Sequence, residues 1–245
     1  MGRKLRILGV NAHPHDFTWY AGTLGIAAAS GDTVTVVSIT TGESAHNEAL
    51  HDELMKPEAE RDPAIVNQAP GDFSALKAKE MEEAAAIFGI TDVRNLGFSM
   101  PFKVTEQPES VRALREVILD VRPDIMITQS PFLTGHQGKA SGSTDDHYET
   151  AYMSLEARSQ AANPVFGDTE APHAIATVYY PGVYFQNEEF DFVVDVTDWI
   201  EKRIAAEDKY ISQGHYPAWS RRRMEVSLGN VGWFAGTMYG EAFVR

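Results

Sequence analysis

A short apolar run, Arg6-Ile7-Leu8-Gly9-Val10-Asn11-Ala12, stops abruptly at His13-Pro14-His15-Asp16-Phe17. It reads as a buried strand, a sharp loop and the start of a helix, with His13, His15 and Asp16, all able to ligate a metal, crowded into one turn. Open α/β sheets place their ligands at the carboxyl ends of strands, so this turn is where a site is expected.

The rest of the chain keeps that rhythm. Thr33 to Thr40, Val93 to Leu96 and Ile125 to Thr128 read as strands, the first and third rich in β-branched residues. Phe73 to Phe88, closed by Gly89, and Ser110 to Val121, before Pro123, carry apolar residues at helical spacing. The alternation predicts an α/β fold, a Rossmann-like, mostly parallel sheet with helices on both faces. Two stretches lack a sustained period. One is Thr41 to about Asp72, a lid or rim with a short helix near Glu48 to Met55; the other is Ser130 to Thr144. Asp145-Asp146-His147-Tyr148-Glu149 then opens a helix through Leu155 to Ala161, with acids in its first turn.

Composition narrows the class. A chain of 245 residues, 43% hydrophobic and 23% charged, can bury a full core, and one domain over residues 1–245 is expected. Twenty-one Lys and Arg against 35 Asp and Glu give a net charge of −14, which argues against nucleic acid or anionic membranes as partners. The absence of cysteine excludes disulfides and thiolate metal sites and leaves His, Asp and Glu as the strong ligands. The opening apolar run is too short for a signal peptide and nothing approaches a membrane span, so a cytoplasmic enzyme with a small-molecule substrate is expected. A closed homo-oligomer is compatible with this class of fold.

Ala12-His13-Pro14-His15-Asp16, Ala21-Gly22-Thr23-Leu24, Thr41-Gly42-Glu43, Asp145-Asp146-His147 and Asp195-Val196-Thr197-Asp198 occur in an order that resembles the LmbE-like, or PIG-L, zinc-dependent deacetylases. The resemblance implies a Rossmann-like fold with one Zn2+ held by His13, Asp16 and His147. Such a set leaves a fourth position for water, whose pKa zinc lowers to about 7. Each residue also has an ordinary structural reading, as strand-end cap, helix cap and solvated helix residue.

The chain departs from the family pattern at two positions. His15 stands where an Asp base is usual, and an imidazole there can accept a proton or orient polar groups. Thr144 stands where many members carry a His, for which His136 is a candidate substitute. Asp146 can position an imidazole or accept a proton, and Glu43 and Glu48 are candidates for the missing base or for a proton shuttle. Lys77 and Glu80 occupy the family's Arg-x-x-Glu positions and read as a plain surface ion pair. Phe17, Trp19 and Tyr20 read as core or pocket wall, Arg221-Arg222-Arg223 as solvated or as a partner for a carboxylate or phosphate, and the stretch holding Trp219, Trp233, Phe234 and Tyr239 as irregular structure needing burial.

The expected function is zinc-dependent hydrolysis of a small amide, such as an N-acyl sugar or conjugate. The alternative is a hydratase acting on an unsaturated, anionic keto or dicarboxylic acid. Asp16-Phe17-Thr18-Trp19 resembles the oxalomesaconate hydratase branch of the superfamily, which also lacks the double Asp. A non-catalytic metal-binding module is a further alternative. A dinucleotide enzyme is disfavoured, since His-Pro-His-Asp fills the turn where a glycine fingerprint belongs.

Overall fold

The computed structural model describes residues 3–132, 145–166 and 171–245. Its centre is one seven-stranded sheet ordered β3-β2-β1-β4-β5-β7-β6. The strands are β1 (Arg6–Asn11), β2 (Thr33–Thr40), β3 (Asp92–Phe98), β4 (Ile125–Ile127), β5 (Thr177–Pro181), β6 (Phe192–Asp195) and β7 (Gly240–Val244). The first five of these run parallel, while β7 lies antiparallel to both β5 and β6. The expected mostly parallel sheet is present, and its antiparallel edge is an addition that the apolar periodicity did not reveal.

Helices cover both faces. They are α1 (Ala21–Ala29), α2 (Glu48–Met55), α3 (Pro63–Val66), α4 (Pro70–Ile87), α5 (Glu109–Val121), α6 (Asp146–Ala162), α7 (Ile200–Glu207) and α8 (Pro217–Ala235). Period-two alternation in the strands feeds two cores. Ile7, Val34 and Val36 pack with Leu24, Met81 and Phe88 on one face, while Leu8, Val10, Val37 and Ile39 pack with Leu114, Ile118 and Met153 on the other. Leu8 and Val10 are fully buried, and each such side chain contributes about 1.5–3 kcal/mol.

The turn after β1 folds back over its own strand. A Cβ at Gly9 would lie 2.8 Å from the Tyr20 hydroxyl, so glycine is what admits that ring, whose hydroxyl donates to Asn11 Oδ1 at 2.7 Å. Asn11 in turn donates to the Val37 carbonyl at 3.1 Å. Phe17 and Tyr20 are therefore core, as one of their two readings expected.

Two expectations are corrected. Residues 41–72 are not largely irregular: besides α2 they hold a 3-10 turn (Glu58–Glu60), α3 and the start of α4, each too short or too polar to leave a periodic signal. The aromatic stretch near the carboxyl end is mostly the 19-residue α8, begun by Pro217 and closed by Gly236 at φ +76. Its glycines obscure the pattern, yet Gly232 is needed because a Cβ there would lie 2.7 Å from the Met238 carbonyl. Trp233 and Phe234 remain exposed on it. No helix among the described residues is long and apolar enough to cross a membrane.

Candidate functional site

Chain order around the sheet reverses between β1 and β4: the chain leaves β1 toward β2 and β3, while β4 and β5 lie on the other side. A crevice opens beyond the carboxyl ends of strands at such a switch point. The turn after β1 and the start of α6 meet there, bringing His13 and Asp16 beside His147. A cavity of about 540 Å³ is lined by His13, His15, Asp16 and His147 together with Trp19, His46, Glu48, Lys77, His215, Trp219 and Arg223.

The ligating atoms of His13, Asp16 and His147 all lie within 4.8 Å of one another. Asp16 is set by its own loop, accepting from the His13 backbone N–H at 2.8 Å through Oδ2. The same oxygen lies 3.5 Å from both His13 Nδ1 and His147 Nε2. Gln129, just after β4, reaches it at 3.4 Å, and Tyr184 donates to the Gln129 carbonyl oxygen. Each imidazole is held from behind by a carboxylate. His13 Nε2 donates to Asp146 Oδ2 at 3.1 Å, and His147 Nδ1 donates to Asp145 Oδ1 at 2.6 Å. Both rings thus present their remaining nitrogen to Asp16.

Asp145 and Asp146 sit where they do because they begin α6. Asp145 is its N-cap and accepts from the His147 N–H at 2.9 Å, while Asp146 Oδ1 accepts from the Phe102 N–H at 2.8 Å. Acids in a first helical turn also complement the macrodipole, so local folding and site assembly use the same residues.

The electrostatics favour added positive charge. Burial acts to raise the Asp16 carboxyl, but the His147 and His13 imidazoles outweigh it and hold the group well below the usual range. Burial likewise lowers His147, yet Asp16 and Asp145 push it up to about 10, and His13 is raised by Asp16 and Asp146 against the same penalty. Two imidazoles and one carboxylate, with carboxylates fixing the ring orientation, form a donor set that fits a divalent zinc-type ion.

His15 is placed elsewhere. Its Nε2 lies 3.2 Å from Glu207 Oε1 and 3.3 Å from Thr18 Oγ1, in a second group with His215. His215 Nδ1 donates to the Glu207 carbonyl at 3.1 Å. Arg223 lies between Trp19 and Trp219, with its guanidinium carbon 5.0 Å from each ring, and donates to Glu207 Oε1 at 2.7 Å. Burial acts to raise Glu207, and its contacts with His15, Arg223 and His215 bring it down to about 2. Arg223 is therefore not the solvated residue expected; Arg221 fills that description, pairing with Glu201 and Glu225.

The two glutamate candidates separate. Glu43 spends one oxygen on the Met100 N–H at 2.8 Å and the other on the Thr41 hydroxyl, clasping a loop. Glu48 lines the cavity, half exposed, with His46 Nδ1 at 3.5 Å. Lys77 and Glu80 are a further correction. Both are buried, and Glu80 accepts from the Ser212 N–H and hydroxyl at 2.8 and 2.6 Å instead of pairing with Lys77. His136 and Thr144 lie outside the described residues. Glu207 and His215 were missed by sequence reasoning, since neither stands in a turn or motif that marks it.

Comparison with known proteins agrees with this architecture. A family model described as PIG-L, GlcNAc-PI de-N-acetylase, matches residues 8–157. A 1D-myo-inositol 2-acetamido-2-deoxy-alpha-D-glucopyranoside deacetylase from Streptomyces griseus is 31% identical over 185 residues, which cover 71% of this chain and 54% of that protein. The chain spans about half the length of the curated relatives it matches. Among solved structures, the N,N'-diacetylchitobiose deacetylase of Pyrococcus horikoshii superposes with a TM-score of 0.75 at 20% identity, covering 97% of this chain and 82% of that one. The 4-carboxy-2-hydroxymuconate hydratase of Pseudomonas putida gives 0.74 at 20% identity, covering 97% and 94%. At that identity the two structures share the fold and carry no choice between their reactions. With most of the motif-bearing half matched, the chain belongs to the PIG-L (GlcNAc-PI de-N-acetylase) family.

Proposed function

We propose that this protein is a metal-dependent hydrolase that removes an acyl group from an N-acylated amino sugar or a conjugate of one. The observation that supports this most directly is the convergence of His13, Asp16 and His147 within 4.8 Å at the switch-point cavity, each imidazole backed by its own aspartate. His13 Nδ1, Asp16 Oδ2 and His147 Nε2 would hold a zinc ion. When bound, such an ion supplies Lewis-acid chemistry, polarising a carbonyl and acidifying water at neutral pH.

The chain's own groups supply the rest. Asp146 and Asp145 fix the tautomers and angles of the two ligating rings, a role that commonly carries a large share of metal affinity. Hydrolysis adds water across the amide carbonyl and breaks the C–N bond, so a proton must leave the water and reach the departing amine. His15 lines the cavity with its far nitrogen anchored on Glu207, an imidazole–carboxylate pairing suited to carrying that proton. Glu48, which also lines the cavity, is the second group able to do so. Trp19 and Trp219 wall the cavity, with Arg223 held over both rings.

The deciding experiment is a paired assay on zinc-loaded protein. Amine release from N-acetylglucosamine and its conjugates is the expected result. Hydration of an unsaturated keto acid, followed by loss of enone absorbance, with no amine release from any N-acyl substrate, sinks the proposal in favour of the hydratase alternative.

A further inference from the structure

A second cavity, of about 250 Å³, borders the metal cavity through one shared wall, Trp19. None of the residues in either metal-ligand group lines it. Phe185, Phe190, Leu228 and Val231 give it apolar surface, and the charged residues facing it are Arg203 of α7 and Glu241 of β7.

Arg203 is only 1% exposed, so its guanidinium has left bulk water. Its one ion pair among the described residues is with Glu241, where Nε lies 2.9 Å from Oε1 without the alignment of a hydrogen bond. Nη1 is also buried without a hydrogen-bond partner, and Nη2 enters no hydrogen bond among the described residues. The acids within reach are committed elsewhere. Glu241 Oε1 accepts from the Gly22 N–H at 2.9 Å, and Oε2 accepts from the Thr23 N–H and hydroxyl, each at 2.7 Å. Those donors open α1, whose positive end answers the carboxylate as well. Glu207, one helical turn beyond Arg203, gives Oε1 to Arg223 and His15.

The terminal N–H groups of Arg203 therefore stand unanswered at the edge of an apolar cavity. A guanidinium in a protein stays charged, and burying it without matching acceptors is costly. Its planar fork matches a carboxylate, whose two oxygens accept in parallel, while the surrounding rings and branched chains suit an apolar body.

We propose that this cavity is a second ligand site, which takes a small carboxylate with an aromatic or branched aliphatic body and holds it through Arg203. The site lies beside the metal cavity and does not depend on the hydrolase reading.

The test is calorimetric titration of the full chain with phenylacetate and 4-methylpentanoate. Their uncharged matches, 2-phenylethanol and 4-methylpentanol, are titrated in parallel. Zinc can itself take up a carboxylate, so every titration is run on zinc-loaded and zinc-stripped protein. At least one acid binds tenfold or more tighter than its alcohol, with an affinity that zinc changes less than twofold. Methyl resonances of Leu228 and Val231 shift as it binds. Arg203→Met brings acid and alcohol to within about twofold, and Arg203→Lys keeps part of the preference. Ser227→Phe, which fills the cavity with Arg203 in place, blocks binding; it decides the matter if Arg203→Met does not fold.

The proposal is overturned if neither acid binds zinc-stripped protein, which would leave the guanidinium to water alone. It is equally overturned if the acid preference survives in Arg203→Met, or if Ser227→Phe binds as wild type does. Amine release from N-acyl sugars with no acid bound at this cavity removes the second site and leaves the hydrolase reading. Acid binding without amine release from any substrate does the reverse.

Discussion

Among the described residues two groups of potential metal ligands meet at one cavity, and their charge balance differs. His13, Asp16 and His147 form the first; His15, Glu207 and His215 form the second, and each group's ligating atoms fit within 4.8 Å. In the first, Asp145 and Asp146 stand behind the rings, so negative charge exceeds what two neutral imidazoles can answer. In the second, a single carboxylate serves two imidazoles and already holds the Arg223 guanidinium at 2.7 Å. A dication arriving there would meet a guanidinium in place of a lone pair. Proximity of donors is common to both; the local charge balance separates them.

Deleting donors from each cluster in turn breaks the comparison most sharply. His13→Ala, Asp16→Ala and His147→Ala should each abolish stoichiometric zinc and turnover, while His215→Ala keeps the metal. Elemental analysis of the dialysed proteins checks this, and equal zinc loss from both clusters would remove the distinction. The second cluster should answer in stability instead. Glu207→Gln leaves Arg223 without its buried counter-charge, and breaking such a pair costs about 3–5 kcal/mol, at the lower end here because Arg223 keeps some solvent contact. Urea unfolding reads that loss, with zinc content unchanged.

What could be read from the sequence follows the same division. The first cluster is legible because both its parts sit at local junctions: an apolar strand ending in His-Pro-His-Asp, and an Asp-Asp-His that caps a helix. Parallel strands, helix spacing and the placement of the turn after β1 are short-range consequences of the chain and emerge from it directly. The second cluster joins residues 192 positions apart through the packing of α7 and the segment after it against the first turn. Glu207 and Lys77 look like surface charges on polar helices, since nothing in their neighbours reports that tertiary packing will bury them. The antiparallel β7 was hidden for a related reason: Gly240 to Val244 is short, and its hydrogen-bonding partners lie far away in the chain.

The carboxylates behind the first cluster give a smaller, graded effect. Asp146→Asn retains an acceptor for His13 but loses the charge, and removing such a partner typically weakens metal affinity about 10–100-fold. Competition with a chelator of known zinc affinity measures it. A change under about twofold would mean that ring orientation, not charge, is what Asp146 contributes.

The smallest expected effect concerns the proton balance of the second cluster. His215 is buried, and burial together with the nearby His15 lowers it from 6.5 to about 4, with Glu207 opposing the shift only in part. Its Nδ1–H is bound to the Glu207 carbonyl, which fits a neutral ring. Between those two values the unfolded chain holds a proton on this side chain that the native protein does not. Stability from His215 is therefore complete above about pH 6.5 and declines as pH falls toward 4. His13 and His147, with raised values, act in the opposite sense, so the contribution must be read as a difference between proteins. His215→Asn should lose part of the decline: the gap between its urea midpoint and that of wild type narrows from pH 7 to pH 5, in zinc-free protein. A gap that stays constant over that range would show that His215 carries its proton in the native state, and the second cluster would then be more cationic than its geometry implies.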